Sequence, residues 1–333
     1  MPDAMLPTAP IAGLTFRPYQ GEDDIPAIAA LLRASFAANG EPTGIDEDEL
    51  RVETRHFVNI DPREDMVLGF VEGRLVARSF MDWADTPDGQ CRYYQSWGDV
   101  HPDWRRRGIG AAMWTRNIRR LTQMARDHGF SGERFLTVPW LRDGDAGGAV
   151  LAERFGYRKV RTYHHMTRPN LDGIDLPPLP EGLEVRPVGA AQRPAIWAAM
   201  CEAFRDHFGA FDASERSMRA WVESPAEDPS LYVVAFDGPE IAGAVHAVIY
   251  PEENAANGYR RGWTDPVYVR RPWRRRGLAS ALLGRALVRL RDAGMTSAQL
   301  DVDTENDNQA LTLYERHGFV SDRTASEWHK PLG

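Results

Sequence analysis

Two stretches of this 333-residue chain answer each other at a fixed spacing, and that duplication constrains the fold more than any other feature. Trp104-Arg105-Arg106-Arg107-Gly108-Ile109-Gly110 is matched by Trp273-Arg274-Arg275-Arg276-Gly277-Leu278-Ala279, the two triplet-following glycines lying 169 residues apart. Gly13-Leu14-Thr15-Phe16-Arg17-Pro18 is matched at the same offset by Gly182-Leu183-Glu184-Val185-Arg186-Pro187. One offset shared by two distant places means that one unit occurs twice. A chain of this length also fits two domains better than one. Pro169, Pro177, Pro178 and Pro180 stiffen the segment between the copies, so the expected domains are residues 1–175 and 176–333.

Local patterns repeat in the same order within each copy. A short strand, residues 14–17 or 183–186, is stopped by proline, which cannot donate to a ladder. Ile25, Ile28, Leu32 and Phe36 then mark one face of a helix; Ile196, Met200 and Phe204 mark it in the second copy. Residues 66–71, Glu72-Gly73 and 75–80 read as strand, turn, strand. Residues 231–236, Asp237-Gly238 and 241–250 repeat that hairpin, with Asp-Gly a favoured tight-turn pair. Strands at 92–100 and 263–269 lead into the Arg-rich turns. Helices are expected at 108–128 and 277–293, the second with Leu283, Leu287 and Leu290 on its core face; Gly129 and Gly294 stop them. Each copy closes with a strand (134–138, 298–302), a short helix and a last strand (163–167, 326–329). Strands and helices alternate irregularly around an antiparallel hairpin. The expected class is α/β, more closely α+β: two tandem domains, each a mixed, mostly antiparallel sheet flanked by helices.

An Arg-rich turn with glycine, set between a strand and a helix, is a place to put a phosphate. Glycine lets the backbone approach, and the helix start offers free N–H groups and the positive end of a dipole. The formal net charge is −8, which speaks against a general nucleic-acid partner, since that needs a broad basic footprint. The arginine triplets are then local positive features suited to a small polyanion. Neither GxGxxG nor GKS/T is present, which excludes a dinucleotide or Walker-type loop. Cys91 and Cys201 make no CxxC and no zinc spacing, so no metal is expected and two reduced thiols are the simplest reading. No run reaches the roughly 18 apolar residues of a membrane span, and no signal-like segment opens the chain; a cytoplasmic protein is expected.

The order of strand, Arg-x-x-Gly-x-Gly/Ala turn, helix, strand, then Leu-Tyr-Glu-x-x-Gly-Phe resembles the GCN5-related N-acetyltransferases (GNAT). The second copy carries it as Arg274-Arg275-Arg276-Gly277-Leu278-Ala279 and Leu313-Tyr314-Glu315-Arg316-His317-Gly318-Phe319. The first carries Arg105-Arg106-Arg107-Gly108-Ile109-Gly110 and Glu153-Arg154-Phe155-Gly156-Tyr157. The resemblance spans nearly all of both halves, and the tandem arrangement resembles that of the mycothiol synthases. One departure stands out: where that subfamily supplies a glutamate before the turn, the ungapped position here is Trp263.

The resemblance implies acetyl-CoA as co-substrate. Its pantetheine arm would pair with the backbone of Val267, Tyr268 and Val269. Its pyrophosphate would lie on Arg274, Arg275, Arg276, Gly277, Leu278, Ala279 and Ser280. An Asn before the last helix, Asn308 or its neighbour Asn306, would hold the arm; either could equally be a helix cap. In the first copy the corresponding residues are Val100, Arg105, Arg106, Arg107, Gly108, Ile109 and Gly110. Tyr314 is the expected general acid for the leaving thiolate, since a phenol near the sulfur can protonate it. Ala152 stands at the matching place in the first copy, which marks that half as catalytically degenerate. Asp265 is the expected base, with a turn role before Pro266 weighing equally, and Asp303 and Glu305 as runners-up. His246 and His317 read as structural. Trp197, Phe204, His207, Phe208, Phe211 and Trp221 read as core before ligand box, while Glu202, Asp206 and Asp212 either greet a cationic amine or form a solvated acidic face.

The expectation is an N-acetyltransferase moving acetyl from acetyl-CoA to a primary amine, with the chemistry in the C-terminal domain. The expected partner is a small-molecule amine acceptor, without nucleic acid or membrane, in a monomer or homodimer. A protein or peptide amine, or a non-catalytic acyl-CoA sensor, are the alternatives.

Overall fold

In the first copy the chain forms β1 (Leu14–Pro18), α1 (Ile25–Ala38), α2 (Glu47–Arg55), α3 (Pro62–Asp65), β2 (Val67–Val71), β3 (Arg74–Asp85), β4 (Cys91–Val100), α4 (Ile109–His128), β5 (Glu133–Arg142), α5 (Ala146–Arg154) and β6 (Arg158–Arg168). The second forms β7 (Leu183–Arg186), α6 (Arg193–Ala203), α7 (Glu215–Glu223), β8 (Val233–Asp237), β9 (Glu240–Val248), α8 (Pro251–Asn257), β10 (Arg261–Val269), α9 (Leu278–Asp292), β11 (Ser297–Asp303), α10 (Ala310–Arg316) and β12 (Val320–Pro331). This is a computed structural model, which describes residues 6–305 and 310–332.

The expected faces are the buried ones. Ile25, Ile28 and Leu32 of α1 are buried with Leu31. Leu283, Leu287 and Leu290 of α9 are buried with Leu282 and Ala286 against Val245, Ala247 and Leu300. Burial of such a stripe is what holds an amphipathic helix to a sheet. Gly129 and Gly294 stand just beyond α4 and α9 with φ of 58° and 89°, the left-handed conformation that ends a helix. The short helices α2, α7 and α8 were invisible to apolar periodicity for a plain reason. Leu50 is the sole buried residue of α2, and α7 and α8 bury none. α2 and α7 are set instead by their caps: Asp46 accepts from Asp48 N, and Ser214 from Ser217 N.

Packing divides the chain into two compact units. The first holds Met1–Arg161, Gly209–Asp212 and Ala325–Gly333; the second holds Thr162–Phe208 and Ala213–Thr324. The linear boundary near residue 175 therefore does not describe the packing. The first unit's sheet runs β1-β2-β3-β4-β5 and is continued by the end of the chain, β12 pairing antiparallel with β5 from Ala325↔Arg142 to Pro331↔Phe135. The second unit's sheet runs β7-β8-β9-β10-β11 and is continued by β6, antiparallel to β11 from Ala298↔Arg168 to Asp303↔Tyr163. Each unit thus takes its last strand from the other half of the sequence. Both of these strands are longer than their expected cores.

Two details separate the units. In the first, β4 pairs with β3 without a break from Ala77↔Val100 to Asp85↔Arg92, and runs parallel to β5 over five pairs, Cys91↔Glu133 to Gln95↔Thr137. In the second, the β9–β10 register shifts between Thr264 and Val267, so Asp265 and Pro266 face His246 alone. This is a bulge, which re-aims side chains beside it. Parallel pairing of β10 with β11 stops after three pairs, at Trp263↔Gln299. Cys91 and Cys201 are not joined by a disulfide. No described helix is long and apolar enough to cross a membrane.

Candidate active site at the fork of β10 and β11

Beyond Trp263↔Gln299 the two parallel strands part, and the bulge sits at the opening of the fork. Arg270 N donates to Ala242 O at 3.0 Å, so the backbone of every second residue along β10 faces β9. Alternation then turns the N–H groups of Val267 and Val269 into the fork. A strand edge with unpaired N–H groups is a template for an extended, amide-bearing chain. The Tyr268 side chain points elsewhere: it is buried, and its hydroxyl donates to Ile196 O at 3.2 Å.

The turn that follows is built to hold an anion. Arg275 (φ 59°) and Gly277 (φ 82°) are both left-handed, a backbone shape in which successive N–H groups converge. Gly277 is the N-cap of α9 and makes no side-chain cap bond, so the first N–H groups of a 15-residue helix keep no partner within it. A Cβ placed on Gly277 would meet nothing within 4 Å; the cradle is open. Leu278 turns its side chain into the core and offers only backbone. Ser280 Oγ lies 2.7 Å from His317 Nε2.

The three arginines are not equivalent. Arg274 is spent on the protein: Nε donates to Val269 O at 3.0 Å, Nη2 to Ala203 O at 3.0 Å and Nη1 to Asp206 Oδ2 at 2.8 Å. It clamps the turn to the end of α6. Arg275 and Arg276 are exposed beside the cradle. Asp206 also binds Arg271, and Glu202 binds Arg270 at 2.7 Å. These arginines hold both carboxyls below the usual carboxylate range. Glu202 and Asp206 therefore brace the turn and do not face an acceptor, while Asp212 lies in the segment that packs with the first unit.

The first copy repeats the clamp but not the opening. Arg105 Nε donates to Val100 O at 3.1 Å and Nη1 to Asn39 Oδ1 at 2.8 Å. Arg106 (φ 63°) and Gly108 (φ 84°) reproduce the backbone, and Arg107 lies over the Trp104 ring. Here the chain's own early residues come close to the turn, although Gly108 itself stays exposed. A Cβ on Gly108 would stand 3.2 Å from Pro10, and Ile11, Val100 and Trp104 pack on the same apolar cluster. Ile109 is buried, and a Cβ on Gly110 would stand 3.1 Å from Leu151.

Tyr314, on α10, is 7% exposed, its ring against Phe319 at 6.1 Å. Burial raises its phenol, and the charge of Asp265 raises it further. Protein atoms surround the Asp265 carboxyl, although the residue keeps exposed surface. Crowding, and the like charge of Asp301, push it up to about 7. In the first unit Ala152 is wholly buried, and the hydroxyl of nearby Tyr157 is buried without a hydrogen-bond partner.

Asp303 accepts Glu305 N at 2.9 Å, a local turn. Asn306 and Asn308 lie outside the described residues. His246 stacks between Tyr232 (4.3 Å) and Trp221 (5.5 Å), and full burial pushes it down to about 3, so the ring is neutral. Trp197 packs on Trp221 in the same aromatic layer. Sequence reasoning missed His165 on β6, whose Nδ1 lies 2.7 Å from Asp301 Oδ1 beside the Trp263 ring. Nothing local marks it, because its partners come from a strand more than 130 residues away. Among the described residues no group of three or more His, Cys, Asp or Glu is placed to hold a metal.

Comparison with known proteins matches this geometry. The Acetyltransferase (GNAT) family model matches residues 196–319, a span that takes in the fork, the open turn and Tyr314. A mycothiol acetyltransferase of Geodermatophilus obscurus is 30% identical over 321 residues, 92% of this chain and 94% of the relative. One from Salinispora arenicola is 29% identical, covering 89% and 91%. Among solved structures, a GCN5-related N-acetyltransferase from Sphaerobacter thermophilus superposes with a TM-score of 0.70 at 24% identity, over 96% of each chain. A tandem GNAT protein from the clavulanic acid biosynthesis pathway gives 0.64 at 18% identity, over 96% of this chain and 99% of the other. The duplicated fold is thus shared with solved tandem proteins, and the sequence kinship extends along both halves. On that kinship the chain belongs to the GNAT family, as a tandem N-acetyltransferase in a family whose members take their acetyl group from acetyl-CoA.

Proposed function

We propose that the second unit transfers acetyl from acetyl-CoA to the primary amine of a small-molecule acceptor, and that the first unit does not turn over. The observation that carries this reading is the contrast between two turns of one design. The second has free space at Gly277 and leads to a forked strand with Asp265 and Tyr314; in the first, Pro10 crowds Gly108 and buried Ala152 stands in place of the tyrosine.

The residues fit the co-substrate. The converging N–H groups of the turn and α9 suit a pyrophosphate, with exposed Arg275 and Arg276 to screen it. Val267 and Val269 offer N–H groups to the pantetheine amides and, at the bulge, to the thioester oxygen as charge builds there. The amine nitrogen attacks the thioester carbon and its C–N bond forms. Asp265 takes the amine proton, the C–S bond breaks, and the thiolate takes the Tyr314 proton. Acid and base are coupled: ionised Asp265 raises the phenol, so each proton that Asp265 accepts makes Tyr314 the better acid.

The kinship with mycothiol acetyltransferases places the amine that those enzymes acetylate at the head of an acceptor panel. Trp263 stands at the last parallel pair before the fork, its ring against His165 and Tyr250. Native mass spectrometry with acetyl-CoA is expected to show one molecule per chain; two would overturn the assignment of binding to the second turn alone. The base is tested by pH. Because Asp265 acts when ionised, kcat/KM is expected to rise with pH through about 7 and then level off. Asp265→Asn should lose this limb along with most of the rate.

A further inference from the structure

The fork holds a second ionisable cluster that the acetyl-transfer reading leaves unused. Asp265 on β10 and Asp301 on β11 each stand two residues beyond the last parallel pair, Trp263↔Gln299. Asp301 is paired in register with His165 of β6. His165 Nδ1 lies 2.7 Å from Asp301 Oδ1, and Nε2 lies 3.1 Å from Gln299 Oε1.

The amide of Gln299 fixes the protons here. Its Oε1 also accepts from Arg261 Nη1 at 3.1 Å, and its Nε2 donates to Glu253 Oε1 at 3.1 Å. A flipped amide would set N–H against guanidinium and oxygen against carboxylate. His165 Nε2 must therefore donate to Gln299. Its Nδ1 then meets a carboxylate oxygen at a distance that two lone pairs do not share. A proton lies between them, and whichever atom carries it, the pair together is net neutral.

We propose that His165 and Asp301 are a positioning pair for the base: Asp301 presses on Asp265 as a like charge, and His165 offsets most of that charge. The proposal rests on Asp265 being the base. It assigns a role in the second unit's site to a residue from the first half of the sequence, carried there by the exchanged strand β6. The upward push on Asp265 from Asp301 agrees in direction. The other groups around this cluster are Trp263 from β10, Tyr314 from α10, Glu253 from α8 with Tyr259, and Arg261 and Arg323. Each is constant between the variants compared below.

The pair predicts two shifts of opposite sign in the acid limb of kcat/KM. Asp301→Asn removes the carboxylate together with the proton it shares with His165, so the net charge of the pair does not change and the limb moves only slightly, to lower pH. His165→Asn leaves Asp301 as a bare carboxylate, so the limb moves to higher pH, by roughly one unit and by more than the Asp301 shift. Limb position does not depend on how much enzyme is active, so partial misfolding cannot imitate the result. His165→Gln is made alongside as a second test of sign, and acetyl-CoA affinity, measured calorimetrically, should be unchanged in all three. A His165→Asn limb that stays in place, or limbs that move in the same direction, overturn the proposal. Asp265→Asn separates the two levels. If it keeps the parent rate, the base assignment itself fails. If it loses the rate while the other limbs do not move, only the positioning pair is wrong.

Discussion

Tyr314→Phe is expected to slow turnover by about 10²- to 10⁴-fold, the range that a positioned general acid supplies. The substitution removes one oxygen and leaves the ring packed on Phe319 within the α9 core, so the fold should persist. Acetyl-CoA affinity should not change, because the turn and the β10 edge are untouched; the whole loss belongs in kcat. Release of CoA thiol, followed with a saturating amine across pH, is the measurement. A Phe variant as fast as the parent at every pH would show that water or another group protonates the thiolate. Coupling of the phenol to Asp265 adds a second signature. Tyr314→Phe and Asp265→Asn should combine to less than the product of their separate losses, as expected of groups that act as one unit.

Gly277→Val is expected to weaken acetyl-CoA by about 10²-fold, with Gly108→Val as its counterpart. Valine disfavours φ near 82°, since a β-branched side chain in the left-handed region clashes with its own backbone. Relief of that strain must swing the N–H groups of the turn out of convergence. Losing two hydrogen bonds to a charged pyrophosphate at about 1.5 kcal/mol each, the low end for charged partners, gives the estimate. At Gly108 the same change meets Pro10 at 3.2 Å. It should lower the melting temperature and leave acetyl-CoA titrations as they were. Equal loss of affinity at both glycines would mean that the first turn also binds, and unchanged affinity at Gly277 would mean that the phosphates lie elsewhere.

Much of the local structure was legible in the sequence because it is decided by neighbours in the chain. Leu283, Leu287 and Leu290 recur at helical spacing, and their burial follows. Asp237-Gly238 turns a hairpin where that pair favours a turn. The 169-residue offset set two copies, and strand, Arg-rich turn and helix set where an anion fits. Arg274 shows the limit. In the sequence it is one of three like residues, yet in the fold its guanidinium is committed to Val269, Ala203 and Asp206, a division that depends on where α6 ends in space. Glu202 and Asp206 changed meaning for the same reason: their arginine partners lie some 65 residues on.

The sequence by itself determined the duplication, the order of the strands and long helices, the two Arg-rich turns and the asymmetry of Tyr314 against Ala152. Each is a matter of residue type at a position, and backbone conformation or side-chain chemistry follows locally. Tertiary structure alone decided which turn is crowded, because Pro10 reaches Gly108 only through the folded chain. It alone decided the length of the fork, because a parallel ladder ends where two distant strands diverge. And it alone assigned His165 to the second unit's site, because hydrogen bonding between β6 and β11 carries that strand across the boundary that the prolines mark in the sequence.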